Sequence, residues 1–435
     1  MLDRKQFRTQ TNTQSAVARM RRSFKSSVTG SLLLITLAGC AVPGVPSGGS
    51  TENLSESPSS TSATNSTDSN STLAQAPASG AEQRYRQTVI VEGLEHPWSM
   101  AWLPDGAVLV TERPGRLRVV REGKLDPTPI AGLPNVFASG QGGLMEVSVH
   151  PQFAQNQFVY LTYSYGDESA NRTRVARGVL EGQTLRDVQT IFEVTQPKPG
   201  SQHFGSRIQW LPDGTMLVAI GDGGNPPVSL EGELIRQQAQ NLRSRLGKIV
   251  RINDDGSIPA DNPFAANANA DSAIWSYGHR NIQGLALNPT SGQVWATEHG
   301  ARGGDELNQV QAGDNYGWPL VTYSREYSGG EISSERSRPG LIDPKKVWES
   351  TVAPSGLTFY TGDRFPGWKG NLFAGGLVTQ GIERIEIDAA GNAVERQTID
   401  INQRVRDVRQ GPDGLLYVLT DQSNGQMIRL EPATP

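Results

Sequence analysis

Ser99-Met-Ala-Trp-Leu-Pro-Asp-Gly-Ala-Val-Leu-Val-Thr-Glu112 and Arg207-Ile-Gln-Trp-Leu-Pro-Asp-Gly-Thr-Met-Leu-Val-Ala-Ile220 are two copies of one pattern. Each reads as an alternating strand, a tight turn and a second apolar strand. Asp-Gly between runs of period two is a strong hairpin signal, because glycine accepts the positive φ that such turns need. A third copy is Asp407-Val-Arg-Gln-Gly-Pro-Asp-Gly-Leu-Leu-Tyr-Val-Leu-Thr420. Looser copies occupy 145–162 (turn His150-Pro-Gln-Phe), 284–298 (turn Asn288-Pro-Thr-Ser-Gly) and 356–375. Six hairpins at a spacing of roughly 40–60 residues match the blades of a propeller. The expectation is all-β: a six-bladed β-propeller of four-stranded antiparallel blades over 84–435. Outer strands are expected at 116–120, 248–252 and 382–387, and 87–91 is placed to join the last blade and close the ring, which removes exposed edges. A β-sandwich, the rival, has no need of six copies of one hairpin.

The rest of the chain is read outward from this repeat. With 435 residues, 36% hydrophobic, 48 Gly and 27 Pro, it can bury a large core and is rich in turns. Net charge is −4, divided as +6 over residues 1–39 and −10 from Cys40 onward. An acidic mature chain argues against a nucleic-acid partner. Cys40 is the only cysteine, so no internal disulfide forms.

The run Met20-Arg-Arg-Ser-Phe-Lys, the apolar segment 31–38 and Leu37-Ala38-Gly39-Cys40 read as a lipoprotein signal peptide over 1–39, with Met20 an alternative start and twin-arginine export left open. Acylation of Cys40 would anchor the exported chain to a bacterial membrane, facing the periplasm or cell exterior. Residues 40–83, Ser/Thr-rich with few large apolar side chains, are expected to be a disordered tether, because burial there cannot offset ordering entropy.

Polar, glycine-rich clusters flank the strand-like runs: Gln202-His-Phe-Gly-Ser-Arg207, Gly221-Asp-Gly-Gly224, Tyr277-Gly-His-Arg-Asn281, Glu298-His-Gly-Ala-Arg-Gly-Gly-Asp-Glu306 and Arg404-Val-Arg-Asp407. A propeller builds sites from loops of several blades converging on its channel. With Ile274-Trp-Ser-Tyr-Gly-His-Arg-Asn281, Asp305-Glu-Leu-Asn308 and Asn315-Tyr-Gly-Trp-Pro319, these motifs resemble the soluble aldose sugar dehydrogenases that use pyrroloquinoline quinone (PQQ), within the glucose/sorbosone dehydrogenase family.

The resemblance implies PQQ- and calcium-dependent oxidation of aldoses to lactones, with electrons passing to an unidentified acceptor. It implies His203 as general base oriented by Asp222, and Arg280 and Asn281 beside the reactive quinone carbonyl. Gln141, Arg207, Arg404 and Arg406 are implied cofactor contacts, with Trp348 an aromatic wall. One calcium is implied on the carbonyls of Gly300 and Ala301, and a second near Glu306 and Tyr316. Independently, a sugar oxidation needs a base near neutral pH, for which histidine is suited, and a tricarboxylate needs guanidinium forks. Two positions depart from the family: 377–380 lacks a lysine that reaches PQQ, and Ala301 replaces a proline. Two alternatives remain beside the dehydrogenase: a calcium-dependent propeller lactonase, and a non-enzymatic binding propeller that has lost PQQ.

Overall fold

The structure is a computed structural model describing residues 83–433; the expected signal peptide and nearly all of the tether lie outside the described residues. Six four-stranded antiparallel sheets form the blades of a six-bladed β-propeller. From innermost strand outward, blade 1 is Pro97–Trp102, Val108–Glu112, Arg116–Arg121 and Lys124–Leu125. Blade 2 is Leu144–Val149, Phe158–Gly166, Asn171–Glu181 and Thr184–Glu193. Blade 3 is Ile208–Trp210, Met216–Ile220, Lys248–Ile252 and Ile274–Tyr277, and blade 4 is Ile282–Leu287, Val294–Glu298, Asp305–Val310 and Lys346–Trp348. Blade 5 is Pro354–Phe359, Leu372–Gly376, Gly381–Ile387 and Ala393–Asp400; blade 6 is Val405–Gln410, Leu416–Thr420, Gly425–Pro432 and Tyr85–Leu94.

Each of the six hairpins in the sequence is the inner pair of one blade. The first strand of the domain, Tyr85–Leu94, pairs with the last, from Tyr85 opposite Pro432 to Leu94 opposite Gly425. The ring is therefore closed by hydrogen bonds between its two ends, and the edge of Gly425–Pro432 is covered by Tyr85–Leu94. The outer strands expected at 116–120, 248–252 and 382–387 are the third strands of their blades. One detail differs from the sequence reading: the turn after His150 contains a short helix, Phe153–Asn156.

The core is a ring of contacts between neighbouring blades. Leu109, Leu117 and Val119 of blade 1 are buried with Val147, Val159 and Leu161 of blade 2. Val175 and Phe192 of blade 2 meet Val218 and Val250 of blade 3, and the last interface joins blades 5, 6 and 1 through Phe373, Val418 and Val110. Second strands such as Val108–Glu112, Met216–Ile220 and Leu416–Thr420 are buried at every residue, which explains why they read as continuous apolar runs. The channel itself is polar. Glu146, Arg207, Asp407 and Arg409, all buried or nearly so, form a network of ion pairs at 2.8–3.1 Å that ties the inner walls of blades 2, 3 and 6.

Candidate active site

In an antiparallel hairpin the residues before the first strand and after the second lie at the same end. The five polar, glycine-rich clusters occupy those two positions, whereas Asn315–Pro319 lies between the third and fourth strands of blade 4. His203 precedes the inner strand of blade 3 and Asp222 follows its second strand; Arg280 and Asn281 precede the inner strand of blade 4 and Gly300 follows its second. Gln141 precedes blade 2, and Arg404 precedes blade 6. The topology therefore delivers all of them to one mouth of the channel.

His203 and Asp222 are fully buried, with Nδ1 of the imidazole 2.6 Å from Asp222 Oδ1. The other oxygen of Asp222 accepts from the indole of Trp318 at 2.8 Å, and its backbone amide donates to the carbonyl of Arg280 at 2.8 Å. The His203 backbone is held in the left-handed region at φ 51°, with its amide on the side-chain oxygen of Gln141 at 2.8 Å. Such strain persists only where the surroundings over-determine it. Gly221 shows how tight the packing is: a Cβ there would lie 2.1 Å from the carbonyl oxygen of His203. With Nδ1 on Asp222, Nε2 is the nitrogen left to accept a proton; its polar contact is Asn225 Nδ2 at 3.4 Å, and the residue is 2% exposed. Burial, then the charge of Arg280, hold the His203 pKa below its ordinary 6.5, while Asp222 pulls it upward. The imidazole is thus neutral and proton-accepting at neutral pH.

A cavity of about 290 Å³ lies beside this pair, lined by Trp98, Met145, Phe204, Gln283, His299, Arg113, Arg404, Arg406 and Asp421. A groove of about 500 Å³ is lined by Gln202, Asn225, Pro226, Glu168 and Tyr327. Gln141 lines both, and the chain neighbours of His203 line one each. Backbone bulges form much of the inner cavity wall. The register of the inner strand slips between Pro97 and Ser99, Leu144 and Val147, Ile282 and Gly284, and Val405 and Asp407. The residues in those slips include Trp98, Met145, Gln283 and Arg406, all of which line the cavity. A bulge re-aims a side chain that strict alternation would place elsewhere.

Arg406 and Arg404 share the carboxylate of Asp421, at 2.9 and 3.2 Å, and Asp421 is held well below the usual carboxylate range chiefly by Arg406, against the opposing effect of burial. The Arg406 side chain is 10% exposed and that of Arg404 45%, so the two are not equivalent. With Arg113 they give the cavity three guanidinium groups and one carboxylate. Buried Nε atoms of Arg113 and Arg406 have no hydrogen-bond partner, and Trp98, Met145 and Phe204 offer apolar faces. This donor set and wall suit a flat polyanion.

Arg280 donates from Nη1 to the carbonyls of His299 and Gly300 at 3.0 and 2.5 Å and from Nη2 to Asn225 Oδ1 at 2.6 Å. The oxygen of Gly300 is thus engaged by the Arg280 guanidinium. Asp305 is not a solvated loop acid: it is 1% exposed, accepts from the amides of Gly300, Val352 and Ala353 at 2.7–2.8 Å, and so shapes the loop that presents Gly300 and Ala301. At the other expected metal site, burial and the neighbouring Glu298 push the Glu306 carboxyl up to about 8. Asn308, which donates to both Glu298 and Glu306, keeps a buried, unpartnered Oδ1. An acid cluster that resists charging beside an orphaned oxygen is fitted to a hard cation. Tyr316 stacks on His279 at 4.7 Å, and its hydroxyl donates to the carbonyl of Gln309.

Two assignments need correction. Arg207 is 1% exposed and is consumed by the channel: Nη1 pairs with Glu146 and Asp407 at 3.0 Å, Nε donates to Gln283 O and Nη2 to Arg406 O, and its guanidinium stacks on Trp98 at 4.1 Å. One Nη2 proton is left over, but the buried side chain lines neither the cavity nor the groove. Trp348 ends the outermost strand of blade 4, buried in the cluster that holds Leu307, Val352 and Leu357, with its indole donating to Glu395. It is core, and the aromatic wall belongs to Trp98 and Phe204. Asn281 accepts from the amide of Gly205 at 3.2 Å and so joins the two loops that carry His203 and Arg280. His279 has both ring nitrogens engaged, by Glu298 and Ser276, and His299, pushed down to about 3 by burial and by Arg280, lines the cavity. Sequence reasoning missed Arg113, Asp421 and Trp318. Only Trp318 had a signal, since it stands inside the quoted Asn315–Pro319 motif.

Among the described residues no group of three or more His, Cys, Asp or Glu is arranged to hold a metal.

Comparison with known proteins agrees with this geometry. The profile of the family described as glucose/sorbosone dehydrogenase matches residues 94–429. Aldose sugar dehydrogenase YliI of Escherichia coli (strain K12) is 41% identical over 353 residues, covering 79% of this chain and 92% of that protein. The crystal structure of the soluble aldose sugar dehydrogenase from Escherichia coli in the apo-form superposes with a TM-score of 0.76 at 39% identity, over 80% of this chain and all of that one. The PQQ-bound form of aldose sugar dehydrogenase from Streptomyces coelicolor has a TM-score of 0.64 at 27% identity, over 81% of this chain and 99% of that one. The matched region is the propeller that carries the His203–Asp222 pair and the arginine-lined cavity, and the chain belongs to the glucose/sorbosone dehydrogenase family.

Proposed function

We propose that the chain is a PQQ- and calcium-dependent aldose sugar dehydrogenase, oxidising the anomeric carbon of an aldose to the lactone. The observation that carries this reading is the His203–Asp222 pair at 2.6 Å, which leaves Nε2, whose polar contact is Asn225 Nδ2 at 3.4 Å, as the nitrogen that would take a proton. Arg404, Arg406 and Arg113 would hold the carboxylates of PQQ against Trp98 and Phe204, with calcium on the carbonyls of Gly300 and Ala301 and a second ion near Glu306. When bound, PQQ supplies an electrophilic carbonyl that takes the hydride from the anomeric carbon.

The chain's own residues do the rest. His203 Nε2 removes the proton of the anomeric hydroxyl, which raises the electron density on the carbon that loses hydride. Asp222 fixes the imidazole through Nδ1 and stabilises the cation it becomes, much as a buried carboxylate does in a catalytic triad. Arg280, fixed by Asn225 and by two carbonyls, puts positive charge where negative charge develops. Asn225, 3.4 Å from Nε2 and lining the groove, lies where the sugar would approach. An exported chain anchored through a lipid on Cys40 would meet its sugar outside the cytoplasm and hand electrons to an acceptor there.

Purified protein reconstituted with PQQ and calcium is expected to reduce a dye with several aldoses. His203→Ala is expected to abolish turnover while PQQ still binds. Inert protein that binds no PQQ, or hydrolysis of a lactone without PQQ, would overturn the reading in favour of a binding propeller or a hydrolase.

A further inference from the structure

Lys198 is a buried ionisable group that the reaction does not use. It is 2% exposed, in the loop that leads to His203. Its backbone is clamped to Asn171 by two hydrogen bonds of 2.8 Å, and its ammonium has one protein acceptor, the carbonyl of Gly200 at 3.1 Å. The Nζ atom lies 4.2 Å from the centre of the Phe204 ring. Its stem presses on Gly223, where a Cβ would come within 2.9 Å of Lys198 Cδ. Phe204 follows His203 in the chain and Gly223 follows Asp222. The lysine therefore packs against both segments that aim the pair, from behind.

A cation has few reasons to sit here. Burying an ammonium is costly unless it is fully paired, and a single carbonyl with an aromatic face is sparse compensation. By contrast Lys248, also buried, donates to three carbonyls, those of Gln238, Ala239 and Leu246, as a lysine that only staples structure would.

We propose that Lys198 is a positioning residue of the catalytic base: its ammonium opposes the gain of a proton by His203 and holds the loop that presents the imidazole. This rests on the reading of His203 as base. The charged and titratable groups bearing on His203 are Asp222, Arg280, His299 and Lys198; those bearing on Lys198 are Asp222 and Glu168. Burial brings Lys198 down to about 7, against the opposite pull of Asp222 and Glu168. Lys198 is thus charged over the acid range in which His203 titrates, and removing its charge must make His203 easier to protonate.

The test uses Lys198→Gln, which keeps a donor for Gly200 without the charge, and Lys198→Arg, which keeps the charge. The carbon chemical shift of the His203 ring is followed against pH in the cofactor-free protein labelled at histidine, with the signal assigned by its loss in His203→Ala. In K198Q the His203 midpoint is expected to rise by about half a unit or more, roughly a threefold gain in proton affinity, and in K198R to stay with the wild type. The acid limb of kcat/KM is expected to move by the same amount. Equal midpoints in all three proteins, or a shift in K198R as large as in K198Q, would overturn the proposal. The titration needs no PQQ, so a wild type without PQQ-dependent activity would sink the functional reading while the midpoints still decide whether Lys198 acts on His203.

Discussion

Replacing Arg207 by Met tests whether this arginine belongs to the channel or to the cofactor. The side chain is 1% exposed and is one of two guanidinium groups serving two buried carboxylates. In its absence Arg409 alone remains, 2.8 Å from Glu146 and 3.1 Å from Asp407. Removing one partner from a buried ion network costs about 3–5 kcal/mol. The carbonyls of Gln283 and Arg406 also lose their donors, at about 1 kcal/mol each or more, offset in part because methionine refills the space against Trp98. A net loss of about 4–6 kcal/mol is expected. At about 2.1 cal/mol/K of unfolding entropy per residue, a propeller of this length has roughly 0.7 kcal/mol/K, so Tm should fall by about 5–8 °C. The assay is thermal unfolding by circular dichroism, paired with titration of PQQ at a temperature where both proteins are folded. Affinity for PQQ should change by less than about tenfold, or 1.4 kcal/mol, since the cavity loses no side-chain donor of its own: only the backbone of Gln283 and Arg406 and the packing on Trp98, which methionine refills, are disturbed. An unchanged Tm with PQQ binding weakened more than about a hundredfold would refute the reasoning and return Arg207 to the cofactor.

Asp222→Asn should lower kcat by about 10²–10⁴-fold, because the amide leaves the imidazole without the carboxylate that orients it and stabilises its cation. The pH profile supplies the sign. Activity needs neutral His203, so kcat/KM rises with pH through the His203 value, which burial and Arg280 hold below 6.5; losing Asp222, which raises it, should move that limb to still lower pH, and an upward shift would contradict the assignment. Arg406→Gln should weaken PQQ binding by more than about tenfold, and Arg404→Gln by less, because exposed ion pairs contribute only about 0–1 kcal/mol; equilibrium titration of both variants decides. Calcium should raise the Tm of the wild type, and Glu306→Gln, which removes the charge expected to attract the ion, should abolish most of that rise; an undiminished calcium effect in E306Q would remove Glu306 from the site.

How far each part was legible follows from how local its cause is. The six hairpins were readable because turn chemistry and period-two alternation act within about a dozen residues. Ring closure by 87–91 followed from the need to cover an edge. The convergence of His203, Asp222, Arg280 and Arg404 also followed, because hairpin topology alone brings strand ends to one mouth. Arg207 and Trp348 were misplaced because a polar residue near a motif and an aromatic residue near a loop carry no local mark of what they will face. Arg207 is consumed by carboxylates 61 and 200 residues away in the chain, Glu146 and Asp407.

What the sequence by itself determined is the blade count, the end of the channel that carries the chemistry and the residue types that gather there. The tertiary structure alone decided which guanidinium is free, which is spent and which side chains form the wall. Those outcomes depend on bulges that turn Trp98, Met145, Gln283 and Arg406 toward the cavity and on ion pairs between distant blades. Coulomb attraction and close packing act through space, and their partners are chosen only once the ring has closed.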